Sequence, residues 1–207
     1  AADEARHAET MQRYIKERYG CVYPIQDGVK HIFDKALASK EWDLKFIIVQ
    51  IVVEGLALST FQICKERTND PLLAEIMDYI LQDEARHITF GINYLTDYLS
   101  TLNKGELEYR ANYALECCQT LLNRVGFTSG FYRQFGWHAD DAHNYACEFE
   151  TTELGKNFKL MRKYLLRRVI PNIKRIGLLT DKVRPYYDEL GLLEFEDLPD
   201  DMEAYLF

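Results

Sequence analysis

Hydrophobic positions in this chain recur three and four residues apart over most of its length, and no convincing two-residue alternation interrupts them. The pattern therefore predicts helices nearly throughout and no β-hairpin. Residues 2–18 read as one helix closed by Gly20, and 21–28, with Pro24 and Gly28, as a loop. A short helix follows over 30–38. Residues 41–65 read as a long helix with Phe46, Ile47, Gln50, Ile51, Glu54, Ala57, Leu58 and Phe61 along one stripe. Asn69-Asp70-Pro71 is a start signal, an Asp cap before Pro at the first helical position, for a helix running to about residue 100. Another helix covers 106–125. Residues 126–141 are rich in Gly and aromatics and show no assignable period. Helix returns over 153–168 and is bent or ended by Pro171. Thr180-Asp181 can cap a short helix through Leu190, and the acidic tail, 194–207, is expected on the surface or against a partner.

Length and composition narrow the class. A chain of 207 residues with a 47% hydrophobic share can bury a sizeable core as one large domain or two small ones. A net charge of −8 argues against a nucleic-acid partner, since phosphate binding needs basic clusters. The densest basic stretch, 159–168, reads as one face of an amphipathic helix. Five Cys without a Cys-x-x-Cys fit reduced thiols in a cytoplasmic protein. The longest apolar stretch, 46–61, is interrupted by Gln50 and Glu54, so no membrane span is expected. The chain has no initial Met and opens almost inside its first motif, as a piece of a longer protein would.

That motif carries the chemistry. Asp-Glu-Ala-Arg-His occurs at residues 3–7 and again at 83–87. In a helix, positions i and i+3 share a face, so Glu4 and His7 can reach one metal ion, as can Glu84 and His87. Between the copies stands Glu54, set among Ile51, Val52, Val53, Leu56, Ala57 and Leu58. Burying an unpaired carboxylate is costly, and a metal ion removes that cost. Carboxylate oxygens mixed with imidazole suit iron or manganese, or a mixed pair. The flanking residues fit a supporting layer: Asp83 orienting His7, Asp3 orienting His87, and Arg6 and Arg86 offsetting surplus negative charge.

The order Glu-x-x-His, Glu, Glu-x-x-His, with intervals of 50 residues (Glu4 to Glu54) and 30 residues (Glu54 to Glu84), resembles the ferritin-like di-iron carboxylate superfamily in its oxygenase and desaturase branches. The resemblance covers residues 1–100. It implies an all-α fold, a ferritin-like four-helix bundle with additional C-terminal helices. Residues 1–103 would be the metal-binding bundle core and 104–207 a helical extension of a single domain. It implies two Fe ions held by Glu4, His7, Glu54, Glu84 and His87, and a non-haem oxidoreductase, a monooxygenase or oxidase. Such an enzyme activates O2 to hydroxylate, desaturate or N-oxygenate a small or acyl substrate. Leu58, Phe61, Met77 and Ile80 could line the substrate pocket, with core packing as the plainer reading. An electron donor, ferredoxin or flavoprotein, and a homodimer follow by analogy. The family pattern has one more Glu, on a helix that would precede residue 1.

Alternatives are a ferritin-like iron oxidase or storage protein, and a metal-free helical scaffold. The absence of Cys-x-x-Cys disfavours a rubrerythrin-like protein. Met11 stands where a radical-forming subunit of ribonucleotide reductase has Tyr, and Ile80 where arylamine N-oxygenases add a His. His138 and His143 near Asp140 and Asp141 form a weaker second candidate. His31 and the Cys117-Cys118 pair read as ordinary helix positions.

Overall fold

The computed structural model describes residues 2–124 and 128–199, the side chain of Arg124 excepted. Among the described residues every regular element is helical, as the periodicity predicts. α1 spans Ala2–Tyr19 and α2 Asp27–Ala38. α3 (Trp42–Phe46) runs directly into a π-helical segment, Ile47–Val53, and then into α4 (Glu54–Arg67). α5 (Pro71–Leu99) and α6 (Lys104–Arg124) are the next long helices. α7 (Ser129–Gln134), α8 (Ala139–Thr151) and α9 (Glu153–Leu165) follow. A 3-10 turn, Leu166–Arg168, leads into α10 (Val169–Arg175). α11 (Arg184–Glu189) and a 3-10 turn, Leu193–Phe195, complete the described fold.

Local chemistry sets most ends. Gly20 closes α1 at φ +76°, a backbone conformation that favours glycine. Asp70 caps α5, its carboxylate accepting from the Leu72 N–H at 2.9 Å, with Pro71 in the first turn. Asn103 and Glu106 bond reciprocally to each other's backbone N–H at 3.0 Å and open α6. Pro171 falls in the first turn of α10, where its missing N–H has no intrahelical partner to lose. The break expected there comes earlier, as the 3-10 turn.

Several expectations are corrected. α2 begins at Asp27, so the preceding loop is shorter. The unassigned 126–141 stretch holds α7, whose cap Thr128 accepts from the Phe131 N–H at 3.4 Å, and the start of α8. Residues 125–127 lie outside the described part. The basic 159–168 stretch is not simply a solvated face: Arg167 is buried between α4 and α10. The tail is not wholly superficial, because Phe195 is buried beside Tyr164; residues 200–207 lie outside the described part. The long helix expected over 41–65 is interrupted by the π segment, immediately before Glu54.

α5 is the axis of the site-bearing half. α4 packs along it, and α1 lies antiparallel to it. Tyr14 Oη donates to Asp70 at 2.9 Å near one end, and Asp3 meets His87 near the other. The larger core joins both halves of the chain: Ile47, Ile48, Ile51 and Val52 meet Leu95 and Leu99, Ala114 and Cys118, and Val169, Ile170 and Ile173. A smaller cluster of Leu58, Leu81, Ala85 and Ile88 fills the α4–α5 seam. Trp42–Arg67 is, contrary to expectation, long and apolar enough by length and composition to cross a membrane. In this fold it packs against α5, α6 and α10.

Candidate metal centre

Glu54, Glu84 and His87 project from α4 and α5, and Glu4 and His7 from α1. Ligand atoms of Glu4, Glu54, Glu84 and His87 all lie within 4.8 Å of one another. His87 Nδ1 is 3.1 Å from Glu4, 3.5 Å from Glu84 and 3.9 Å from Glu54. His7 stands just outside this grouping, with Nδ1 at 3.3 Å from Glu84 and 3.8 Å from Glu4. Thus the structure brings together all five residues that the spacing selected, from three helices.

The two copies of the pentapeptide meet reciprocally. His7 Nε2 bonds to Asp83 at 2.9 Å, and His87 Nε2 bonds to Asp3 at 3.1 Å. An ionised carboxylate can only accept, so in the neutral imidazoles each Nε2 carries the hydrogen and each Nδ1 presents its lone pair to the glutamates. Identical sequences on antiparallel helices produce this exchange, because each residue finds the other copy's partner opposite it. Arg6 donates to Asp83 at 2.6 Å and to Asp3 at 2.8 Å, and Arg86 donates to Asp83. The supporting roles expected of Asp3, Asp83, Arg6 and Arg86 coincide with these contacts.

Electrostatics separate the inner from the outer carboxylates. Burial, together with the nearby charges of Glu84 and Glu4, pushes Glu54 up to about 9, although Gln50 donates to its Oε1 at 2.5 Å. Burial and Glu4 raise Glu84 as well, partly offset by both imidazoles. The bond to His87 holds Asp3 low. Burial works to raise Asp83, but the bonds from His7 and Arg6 and the charge of Arg86 outweigh it and hold it low. The outer carboxylates are therefore stable as anions, while the inner pair is short of positive charge.

A divalent metal fits this shortage. His7 Nδ1, Glu54 Oε2, Glu84 Oε2 and His87 Nδ1 are buried and have no hydrogen-bond partner. Buried polar groups rarely go unsatisfied, and here the orphans converge. With metal–ligand bonds of about 2.1 Å, two ligands of one ion lie at most about 4.2 Å apart. The separations of 3.1 to 3.9 Å around His87 fit that limit. His7 Nδ1, 3.3 Å from Glu84 and 3.8 Å from Glu4, fits the same limit. Glu4 is the open edge of the site, its side chain 51% exposed.

Two features of the site escaped sequence reading. The π segment ends with the Glu54 N–H bonded to the Val49 carbonyl, so Glu54 leaves the helix one residue out of α register. Gly91 on α5 admits that segment: a Cβ built there would meet Gln50 Cβ at 2.8 Å. A lone Gly within the long helical pattern of α5 is the signal the sequence offers.

The expected pocket residues divide. Leu58 and Phe61 pack in the α4–α5 seam, and Met77 is fully buried, so these three serve the core. Ile80 also contacts a cavity of about 500 Å³ that touches His7 and Asp83, on the side of the imidazole away from the glutamates. His138 and His143 are exposed on or beside α8, where His143 Nε2 lies 3.7 Å from Cys147 Sγ. Among the described residues they are not gathered with acidic side chains into a metal-holding group. His31 is exposed, and Cys117 and Cys118 are buried free thiols.

Comparisons with protein-family models, with curated proteins and with solved structures find no match for this chain.

Proposed function

We propose that this chain is a ferritin-like di-metal carboxylate protein that uses O2 to oxidise a small or acyl organic substrate. The observation that carries the reading is the convergence of orphaned, buried ligand atoms from Glu54, Glu84, His7 and His87, with Glu4 beside them and each imidazole held from behind by an aspartate. Iron bound there would supply the redox chemistry with O2; manganese suits the same donors.

The chain's own residues have separable roles. His7 and His87 bind through Nδ1, and Asp83 and Asp3 fix their tautomer and ring orientation. Glu54, pushed up to about 9, would give up its proton to solvent on holding a metal, so loading would release protons. Gln50 steadies Glu54, and the Leu58–Ile88 seam excludes water from the inner side. Turnover would require an external electron donor, a ferredoxin or flavoprotein. We read Trp42–Arg67 as a core helix of the bundle, the fold as dimer-forming, and the location as cytoplasmic.

One observation favours a second reading, iron oxidation without an organic substrate. The half-exposed side chain of Glu4 leaves the site accessible to solvent and to incoming ions.

The test is metal content and optical spectra of anaerobically iron-loaded protein, before and after O2. About two irons per chain, a new absorption on exposure to O2, and consumption of an added substrate support the oxygenase. Two irons with no substrate consumption across a screen support the oxidase reading. A folded, helical protein that retains no iron refutes both.

A further inference from the structure

His143 and Cys147 stand four residues apart on α8, which puts their side chains on one face of the helix. α8 buries Ala142 and Ala146 against the rest of the fold. His143 and Cys147 fall beside that buried strip, and both are exposed. His143 Nε2 lies 3.7 Å from Cys147 Sγ. Neither residue belongs to the candidate metal centre, and the oxidase reading has no use for either.

A thiolate and an imidazole together select a borderline or soft cation such as Zn2+ over hard Mg2+ and Ca2+. The spacing suits such an ion. With Zn–S of about 2.3 Å and Zn–N of about 2.0–2.1 Å, a tetrahedral angle sets sulfur and nitrogen about 3.6 Å apart. The pair already stands at 3.7 Å. The two groups share one proton as a hydrogen bond, and a cation can take that proton's place with little movement. Two ligands leave a tetrahedral ion half coordinated. Among the described residues no third His, Cys, Asp or Glu is gathered with this pair, so the site is incomplete within one chain. A second copy related by a twofold axis brings the same two ligands and closes a shell of two thiolates and two imidazoles. Charge makes the meeting depend on the cation. α8 holds Asp140, Asp141, Glu148 and Glu150 and neither Lys nor Arg, although Arg162 reaches Glu150 at 3.5 Å. Two such faces repel when bare and can meet around a cation. We propose that His143 and Cys147 bind Zn2+, or a cation of its class, shared between two copies of this chain. Each thiol gives its proton to solvent as it coordinates. The inference does not rest on the proposed oxidase.

Titration of the full chain with Co2+ in the presence of a phosphine reductant tests it, followed by absorption and by light scattering. Co2+ occupies tetrahedral Zn2+ sites and gives a sulfur-to-metal charge-transfer band only where a thiolate binds it, so the carboxylate–imidazole centre is silent. The band should rise together with a doubling of the particle mass, and a chelator should reverse both. Excess Zn2+ should remove the band and keep the doubled mass. Cys147→Ser should abolish band and doubling. His143→Ala should weaken Co2+ affinity by about tenfold or more, since losing even a supporting residue costs that much. Glu54→Ala should change neither readout. No thiolate band, or one that survives Cys147→Ser, would overturn the site. A band without an increase in mass would overturn its sharing by two copies, and a mass that does not respond to the chelator would overturn the role of the cation.

Discussion

Replacing Glu54 by Gln should stabilise the metal-free protein while weakening its hold on metal. Glu54 is 5% exposed and its acid is pushed from 4.5 to about 9. A carboxyl whose pKa is higher in the folded state than in the unfolded one favours folding fully only below the unfolded value. That contribution is lost as pH rises from about 4.5 to about 9. At pH 7 the loss from this one group amounts to roughly 3 kcal/mol. The Glu54→Gln amide would mimic the protonated acid at every pH. It can still accept from Gln50 and can offer its N–H to Glu84, whose Oε2 lacks a partner. Urea denaturation of metal-stripped wild type and Glu54→Gln, from pH 5 to pH 8.5, would measure the difference. The variant's advantage should be small at pH 5 and grow steadily above it. With iron present the order should reverse, because binding to the folded state stabilises wild type and the variant lacks a ligand. A pH-independent difference, or a metal-free variant less stable than wild type at pH 7, would refute the view that Glu54 is a carboxylate buried for a metal's sake.

Three other perturbations separate the layers of the structure. Asp83→Asn should lower metal affinity by about 10- to 100-fold without removing a ligand, and competition with a chelator would register it; unchanged affinity would mean that His7 needs no partner behind it. Gly91→Ala should destabilise by about 1–3 kcal/mol through overpacking against Gln50, opposing the roughly 0.5–1 kcal/mol that a mid-helix Gly→Ala change normally gains; a gain in urea midpoint would show that the π segment can move aside. Arg110→Ala should cost about 3–5 kcal/mol, because Asp43, 1% exposed, receives its bond from Arg110 Nε at 2.8 Å. An Asp43→Leu/Arg110→Met pair should recover most of that loss, and failure to recover it would assign the cost to packing.

Much of the candidate metal site was legible because its chemistry is local. Glu-x-x-His on a helix specifies which residues share a face, and repetition of the whole pentapeptide already suggests a reciprocal meeting of the copies. Glu54 was legible for the opposite reason, as a charge where the apolar pattern has no place for one. The Asp70-Pro71 start of α5 follows from capping chemistry confined to a few residues. Residues 126–141 were harder to read, because exposed aromatics such as Phe135 and Trp137 blur the apolar period around the start of α8.

The sequence by itself determined the helical class, the helices that bear the candidate site and its carboxylate and imidazole groups, since each depends on periodicity and residue chemistry within one or two turns. Only the tertiary structure decided what those helices meet. The antiparallel docking of α1 on α5 selects which aspartate serves which histidine. The close approach at Gly91 accommodates the π segment that sets Glu54's register. The insertion of the α9–α10 turn beside α4 converts a basic stretch that reads as a solvated face into the wall of a cavity. In each case the deciding contact joins residues far apart in the chain, and long-range packing geometry leaves no periodic trace in either segment alone.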